Sequence, residues 1–501
     1  MDAITVLRLP FLSSASRKLA GCFIFCALVF LWSCHTLAAS ISEPFDTEAL
    51  IPPKPALQLN VSAGDPCAAK PLDQALNLLE VVNLALCNNP QTHVVWASTR
   101  AQAEQVGVNK AGYLPNASLN AAATRTKTST ASDIDQRSVG LTFSYLLFDF
   151  GSRAANLDNA RQLLAASIAT QDSTVQSVFL AAVQAYYQTQ ASHAALDAAL
   201  ESESAAKESF AAAEARYKAG SATPADKLQA QTAYSQATLN RITTDGNLKN
   251  AQGALANILG LDANRTVSLA IANTTAIPQS FLGGFEGDVN ALIEQARQRR
   301  PDLQAAAAQV KAAQASTDAA RAADRPTIFL TASADQYNTS GFNSHGSRLG
   351  INLNVPIFSG YSPTYRVRAA EAQVDVKNAQ LEQLRLQVAL DVWTAYQRLT
   401  TATQSLLSSA DLLNSAEQSE RVALGRYKAG VGSILDVLNA QSAMASARQQ
   451  RIQSTFSWNI SRATLAQAMG SLDAGLLQTL SDNNGQQQLE NPKPNENKTQ
   501  K

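Results

Sequence analysis

The residues of this chain that could do chemistry come in pairs. Arg216-Tyr217-Lys218-Ala219-Gly220 returns unchanged as Arg426-Tyr427-Lys428-Ala429-Gly430, a spacing of 210 residues (216 to 426). An acid follows each copy at the same distance, Asp226 after the first and Asp436 after the second. Asp just beyond a Gly turn caps a helix N-terminus. Little else is chemically suggestive. The four histidines, His35, His93, His193 and His345, are far apart, so no metal site is expected. No Gly-rich phosphate loop follows a strand, and no Ser, His and Asp set stands out. Glu201, Glu208 and Glu214 are spaced along one helical stretch as solvated charge. The chain is not expected to be an enzyme or to carry a cofactor.

The repeat extends well beyond the motif. Leu228 and Ala230-Gln231 meet Leu438 and Ala440-Gln441, Ala185-Tyr186 meets Ala395-Tyr396, and Gly260 meets Gly470. With one residue of slack, Pro90 meets Pro301 and Pro115 meets Pro326. A period this long is a duplicated structural half, not a solenoid of short units. The 501 residues are therefore read as two intertwined halves: repeat 1 at 73–281 and repeat 2 at 282–481. The formal charge is zero and aromatics are 6% of the chain, so no basic field points to nucleic acid and the composition favours long helices over a thick globular core.

Residues 1–39 read as a signal peptide. Arg8, Arg17 and Lys18 precede an apolar run from Leu19 to Trp32, and Thr36-Leu37-Ala38-Ala39-Ser40 offers small residues for cleavage. Cys22 lies too early in the apolar run for a lipoprotein box. Cys34 is better placed, though Trp32 fits that motif poorly, and cleavage after Ala38 or Ala39 is preferred. With Cys22, Cys26 and Cys34 in the signal, only Cys67 and Cys87 remain of the five cysteines. Two thiols in an exported chain suggest one disulfide, a staple and not a redox site because no Cys-x-x-Cys occurs; two free thiols are the other reading. Residues 40–72, with Ile51-Pro52-Pro53-Lys54-Pro55, read as an extended arm. The polar stretch 482–501 reads as a disordered tail.

Within each repeat the period switches between helix and strand. Val139, Leu141, Phe143, Tyr145 and Leu147 alternate with small polar residues, as do Leu349, Ile351, Leu353, Val355 and Ile357. Weaker alternation precedes each run, giving hairpins at 117–148 and 327–357 with polar loops at 126–136 and 338–347. The strands have the length a tilted strand needs to cross a bilayer, roughly 10 residues, and a lone hairpin is marginal in water. After each hairpin comes a proline-free helical stretch, Ser152 to Gly220 and Thr364 to Gly430, of roughly 100 Å. A turn and a shorter helix follow, at about 226–260 and 436–470. Ala-rich faces suit close helix packing, and the low charge suits helices with neighbours on two sides and water on the others, as in the wall of a tube. Four strands cannot close a membrane sheet, because open edges leave backbone groups unpaired in lipid. Two copies would give 8 strands and three would give 12, between which the pattern alone does not choose.

In this order of elements the chain resembles the TolC family of outer-membrane channels, from about Asp73 to Asp473. The resemblance rests on Pro115, the hairpin, Phe148-Asp149-Phe150-Gly151, the long helix and Arg216-Tyr217-Lys218-Ala219-Gly220, then the same order again with Phe358-Ser359-Gly360 in the second half. It implies a mainly α fold with membrane strands: a homotrimer whose 12-stranded β-barrel in the outer membrane continues as a long α-helical barrel across the periplasm. It implies an adaptor (membrane fusion) protein and an inner-membrane ABC or proton-driven pump docking at the helical tips. It implies a passive channel-tunnel, closed at those tips at rest, for type I protein (toxin) secretion or, alternatively, small-molecule and multidrug efflux. Cys67 with Ala85-Leu86-Cys87-Asn88-Asn89-Pro90 looks like the members that serve protein secretion. By motif position the tip turns sit at Gly220 and Gly430, Tyr427 and Asp226 match a Tyr–Asp latch between helices, and Asp436 matches an entrance carboxylate. Asn439 stands where a second carboxylate can occur, and Gly432 where the family places an Arg. A looser latch and a single ring of three carboxylates are therefore expected. A trimeric coiled-coil adhesin with a barrel anchor is the remote alternative. It would carry sustained heptads and one C-terminal barrel segment instead of two mid-chain hairpins.

Overall fold

Nearly every element of the first half has a counterpart of equal length in the second. The computed structural model describes residues 44–53, 67, 74–129, 131–270 and 289–472. The expected signal peptide and tail lie outside the described residues. Met1–Leu50 and Ile51–Lys501 are separate compact units. In the first, Glu48–Leu50 is a 3-10 turn closed by Leu50 N–H donating to the Thr47 carbonyl. In the second, the order is α1 (Leu78–Asn88), α2 (Pro90–Ala111), β1 (Asn116–Thr128), β2 (Ala131–Phe148), α3 (Ser152–Lys218), α4 (Pro224–Ile258), α5 (Val289–Arg299), α6 (Pro301–Ala322), β3 (Thr327–Thr339), β4 (Phe342–Asn354), α7 (Ser362–Lys428) and α8 (Ile434–Ala468). Both long helices, α3 and α7, have 67 residues, and both return helices, α4 and α8, have 35.

The breaks between elements follow from local chemistry. Asn77 and Glu80 cap α1 reciprocally. Asn89 then ends α1 and caps α2 through Gln91 N–H, with Pro90 in the first helical turn where its missing donor costs nothing. In the second half Arg300 takes the hinge, held by Asp302 at 2.6 Å and Asp391 of α7 at 3.0 Å. The C-terminus of α4 abuts the first hinge, where Asn89 Nδ2 donates to the Ile258 carbonyl. Gly470 past α8 likewise lies against Arg299 and Arg300. Thus α2 and α4 stack end to end beside α3, and α6 and α8 do so beside α7. Near the strands the helices adjoin in the order α2, α3, α6, α7; toward the far end the order is α4, α3, α8, α7.

The two hairpins join. The sheet runs β1-β2-β3-β4, all antiparallel. The strands outrun the expected polar loops, because a ladder needs backbone donors and not apolar side chains. Asn338 pairs Asn343 across β3 and β4, and Ser340 and Gly341, both with positive φ, make the two-residue turn. Conversely β4 stops at Asn354 instead of reaching Ile357, since Pro356 offers no N–H and restricts the residue before it. At each strand-to-helix corner two successive residues take left-handed backbone, Phe150 and Gly151 in one half and Gly360 and Tyr361 in the other. Asp149 secures the first corner by accepting from Arg153 N–H at 2.8 Å and from its Nε at 3.0 Å.

Two equivalent apolar clusters lie midway along the long helices. One gathers Val81, Val82 and Leu86 of α1, Val178, Val183 and Tyr187 of α3, Leu255 of α4 and Phe456 of α8. The other gathers Ala296 of α5, Leu303 of α6, Val388 and Val392 of α7, and Trp458 and Leu465 of α8. Cys67 and Cys87 are joined by a disulfide with a Cα–Cα distance of 5.6 Å, which ties the preceding chain to α1. Among the described residues no helix is long and apolar enough to cross a membrane.

Candidate functional site: helical tips and strand face

The tips are two copies of one turn. Arg216 and Arg426 end their helices by accepting, at the carbonyl, from Ser221 and Val431 N–H across Gly220 (φ 74°) and Gly430 (φ 79°). That left-handed backbone admits Gly without strain, as a helix stop requires. The return helix is then capped by Thr223 in the first tip and by Ser433 in the second. Asp226 closes the first cap by accepting from Thr223 N–H at 2.9 Å and from its hydroxyl at 2.8 Å. Those bonds, the backbone one first, hold its carboxyl below the usual carboxylate range. Asp436 accepts from Ser433 N–H at 3.2 Å and stays exposed on the groove between α7 and α8.

The matched Tyr427–Asp226 latch is not formed within the chain. Asp226 is engaged by its own cap, and the tyrosine has a different partner. Arg216 Nη2 donates to the Tyr427 carbonyl at 2.6 Å while its guanidinium lies 4.0 Å from the ring centroid. Tyr427 is buried there among Ala213, Ala230, Ile434 and Val437. Ser209 and the Gln441 side-chain amide bond 3.1 Å apart one turn higher. The first tip is fastened on its own side by Glu214, which pairs with Lys227 at 3.0 Å and Lys218 at 3.5 Å and is held below its usual pKa by those ammoniums, Lys227 first. The repeated motif marked Arg216 but not its partner, because a basic residue in a last helical turn is already accounted for by the helix dipole and Tyr427 belongs to the other repeat. Gly432, where an Arg was anticipated from the family, leaves no room for a side chain: a Cβ there would sit 2.9 Å from Tyr427 N and 3.0 Å from Arg426 Cβ.

At the other end the register sorts the sheet into two faces. Opposite residues in a ladder share a face. Leu119, Leu141, Ala334 and Ser347 align across the four strands, as do Ala117, Phe143, Ala332 and Leu349. Leu141, Leu349, Ile351 and Leu353 are 53–76% exposed on this face. On the opposite face, Ser118, Thr142, Ser333 and Arg348 align, and Asn120, Gly140, Asp335 and Gly346. The Asp335 carboxylate lies where a Cβ on Gly140 would be and accepts from Ser333 Oγ at 3.1 Å. One face thus suits hydrocarbon and the other water, as in the strands of a membrane barrel. Strands β1 and β4 are the edges of this sheet. Among the described residues no group of His, Cys, Asp and Glu is arranged to hold a metal ion.

The sequence profile of the outer membrane efflux proteins matches the chain twice, over residues 81–261 and 292–471. Protein CyaE of Bordetella pertussis is 31% identical over 385 residues, which cover 75% of this chain and 80% of that protein. The outer membrane protein TolC of Vibrio cholerae is 24% identical over 407 residues, covering 79% and 91%. The toluene efflux pump outer membrane protein TtgC of Pseudomonas putida is 26% identical over 436 residues, covering 83% and 87%. A solved membrane protein from Pseudomonas aeruginosa shares the fold with a TM-score of 0.69 at 25% identity, over 78% of this chain and 92% of that one. The open state of the MtrE outer membrane channel of Neisseria gonorrhoeae gives 0.66 at 20% identity, over 84% and 98%.

Proposed function

Since the chain belongs to the outer membrane efflux protein family, we propose that three copies close one 12-stranded barrel in the outer membrane and continue it as a helical tunnel into the periplasm. The observation that carries this reading is the four-stranded sheet: apolar on one face, polar on the other, and open at both edges. Open edges in lipid cost several kcal/mol per unpaired group, and further copies of β1 and β4 are the partners in register. The tunnel is passive. A periplasmic adaptor and an inner-membrane ABC or proton-driven pump engage the tips beyond Gly220 and Gly430 and supply the energy and the choice of substrate. Asp436, exposed at the tip, contributes one carboxylate per copy to the entrance.

The cargo is a secreted protein of the type I route, a reading supported by Cys67 and the Ala85–Pro90 segment. Export of small molecules is the second reading, supported by relatives named as efflux pump components. Single-channel recording in a planar bilayer tests the pore. Stable unitary currents with cation preference reduced in Asp436→Ala support both the pore and the charged entrance. Currents unchanged by the substitution leave Asp436 a helix cap, and no current from folded trimer overturns a pore that conducts without its pump. Deleting the gene separates the cargoes. A protein missing from the medium with unaltered sensitivity to toxic small molecules supports the first, and the reverse pattern overturns it.

A further inference from the structure

The two strand-to-helix corners have diverged. In the first, charge is settled internally: Asp149 accepts from the backbone and the guanidinium of Arg153, and neither side chain is much exposed. In the second, Ser359 and Pro363 stand at those positions. Ser359 Oγ donates to Asp324 at 3.1 Å. Arg325 and Arg368 stand where the first half has Leu114 and Asp158, and Tyr361 and Tyr365 where it has Gly151 and Ala155. The second corner gains two cations and two rings and loses the ion pair.

The gained cations line one feature. An open groove of about 520 Å³ runs between the end of α6 and the start of α7, with Arg321, Asp324 and Arg325 on one side and Thr364, Arg368 and Glu371 on the other. Part of its charge is already matched. Arg321 spans Asp318 at 3.1 Å and Glu371 at 2.8 Å, and Asp324 has Ser359. Arg325 and Arg368 are both exposed, and among the described residues neither has a carboxylate at ion-pair distance. Arg325 Nη1 donates to the Phe150 carbonyl at 3.4 Å, which leaves most of its donors unused. The Arg368 guanidinium lies 5.7 Å from the Tyr365 ring centroid. Two guanidinium groups without acids in one groove suit a phosphate, whose oxygens accept parallel N–H bonds. The surroundings indicate what carries that phosphate. Past the end of β4, Ile357, Phe358, Tyr361 and Tyr365 are 66–95% exposed. Exposed rings next to apolar strand ends lie at headgroup level in a membrane.

Resting on the reading that the sheet lies in the outer membrane, we propose that this groove holds the headgroup phosphate of an anionic phospholipid of the periplasmic leaflet. Arg325 and Arg368 clamp the phosphate, and the acyl chains run from Phe358 along the apolar strand face. The first corner, closed by Asp149 and Arg153, takes none, so each copy holds one lipid in this way.

The test uses full-length protein in detergent, titrated with phosphatidylglycerol or with phosphatidylcholine of the same chains, with bound lipid counted by native mass spectrometry. One phosphatidylglycerol per subunit is expected, held at least tenfold more tightly than phosphatidylcholine. Arg325→Ala with Arg368→Ala should abolish the preference, and Lys at both positions should keep part of it. Thr364→Glu should abolish it by a second route: it adds a carboxylate to the groove in the first turn of α7, where an acid favours the helix, so folding is expected to be kept. Equal binding of the two lipids by wild type, or a preference that survives both the double Ala variant and Thr364→Glu, overturns the site. Inorganic phosphate added to the phosphatidylglycerol complex should leave the lipid in place; displacement makes the groove a site for free phosphate and overturns the lipid. Vesicle flotation separates this failure from that of the membrane reading. A protein that floats with vesicles of either lipid and shows no preference overturns the headgroup site alone, and one that floats with neither overturns both.

Discussion

Replacing Arg216 by Ala removes the clasp that joins the two tips of one chain. The substitution deletes one charge-assisted hydrogen bond to the Tyr427 carbonyl and a cation–π contact with its ring. A hydrogen bond of that kind contributes about 1.5–3 kcal/mol, and the ring contact about 0.5–1 kcal/mol at a half-exposed site. Taking the low end of the first because solvent reaches Arg216, the loss is about 2 kcal/mol per subunit, or roughly 30-fold in the balance between clasped and released tips. Tyr427 itself keeps its apolar neighbours Ala213, Ile434 and Val437, so the fold is expected to survive. In planar bilayers the open-state occupancy of Arg216→Ala should rise by at least that factor. Arg216→Lys should fall between the two, since an ammonium keeps the charge but loses the planar fork. A variant that is folded and trimeric, with occupancy and conductance equal to wild type, would refute the reasoning.

Further outcomes follow from the same geometry. Asp226 has a depressed carboxyl pKa, so its cap contributes stability above the unfolded value of about 3.9 and loses it as pH falls through the lower folded value. Asp226→Asn should therefore lower Tm at neutral pH, and the gap to wild type should close in thermal melts run progressively below pH 4. Leu141→Arg places a cation on the apolar strand face, at about 2–4 kcal/mol near the bilayer midplane. Thr142→Arg places it on the polar face, so membrane-fraction yield should drop for the former while the latter inserts and changes single-channel conductance. Cys87→Ser opens a loop with a sequence separation of 20, which should cost about 3 kcal/mol; differential scanning calorimetry should show the loss, and reductant should reproduce it in wild type only.

Much of the architecture was written in periodicity. Period two at Val139–Leu147 and Leu349–Leu353 marked strands, proline-free stretches marked α3 and α7, and Pro90 and Pro301 marked the hinges. Loop lengths were misjudged because polar residues such as Arg125 and Asn338 pair across strands as readily as apolar ones. The joining of β2 to β3 carries no local signal at all, since it links residues in different repeats. At the tips, position within the motif could not separate Asp226 as cap from Asp226 as latch. That depends on which donor is nearest in space, and Thr223 is three residues away. The partner of Arg216 was hidden for the same reason: Tyr427 is distant in sequence.

The pairing of β2 with β3 also sets an order of events in biogenesis. Gln136 must meet Thr339, and between them lie the whole of α3, α4, α5 and α6. Contacts of such separation form late. The first hairpin emerges early, with an oily face and no permanent neighbour, and must be kept from aggregating while the intervening helices are exported and fold. The apolar face of β1 and β2 thus gains its in-chain neighbour only once α6 and β3 have been made.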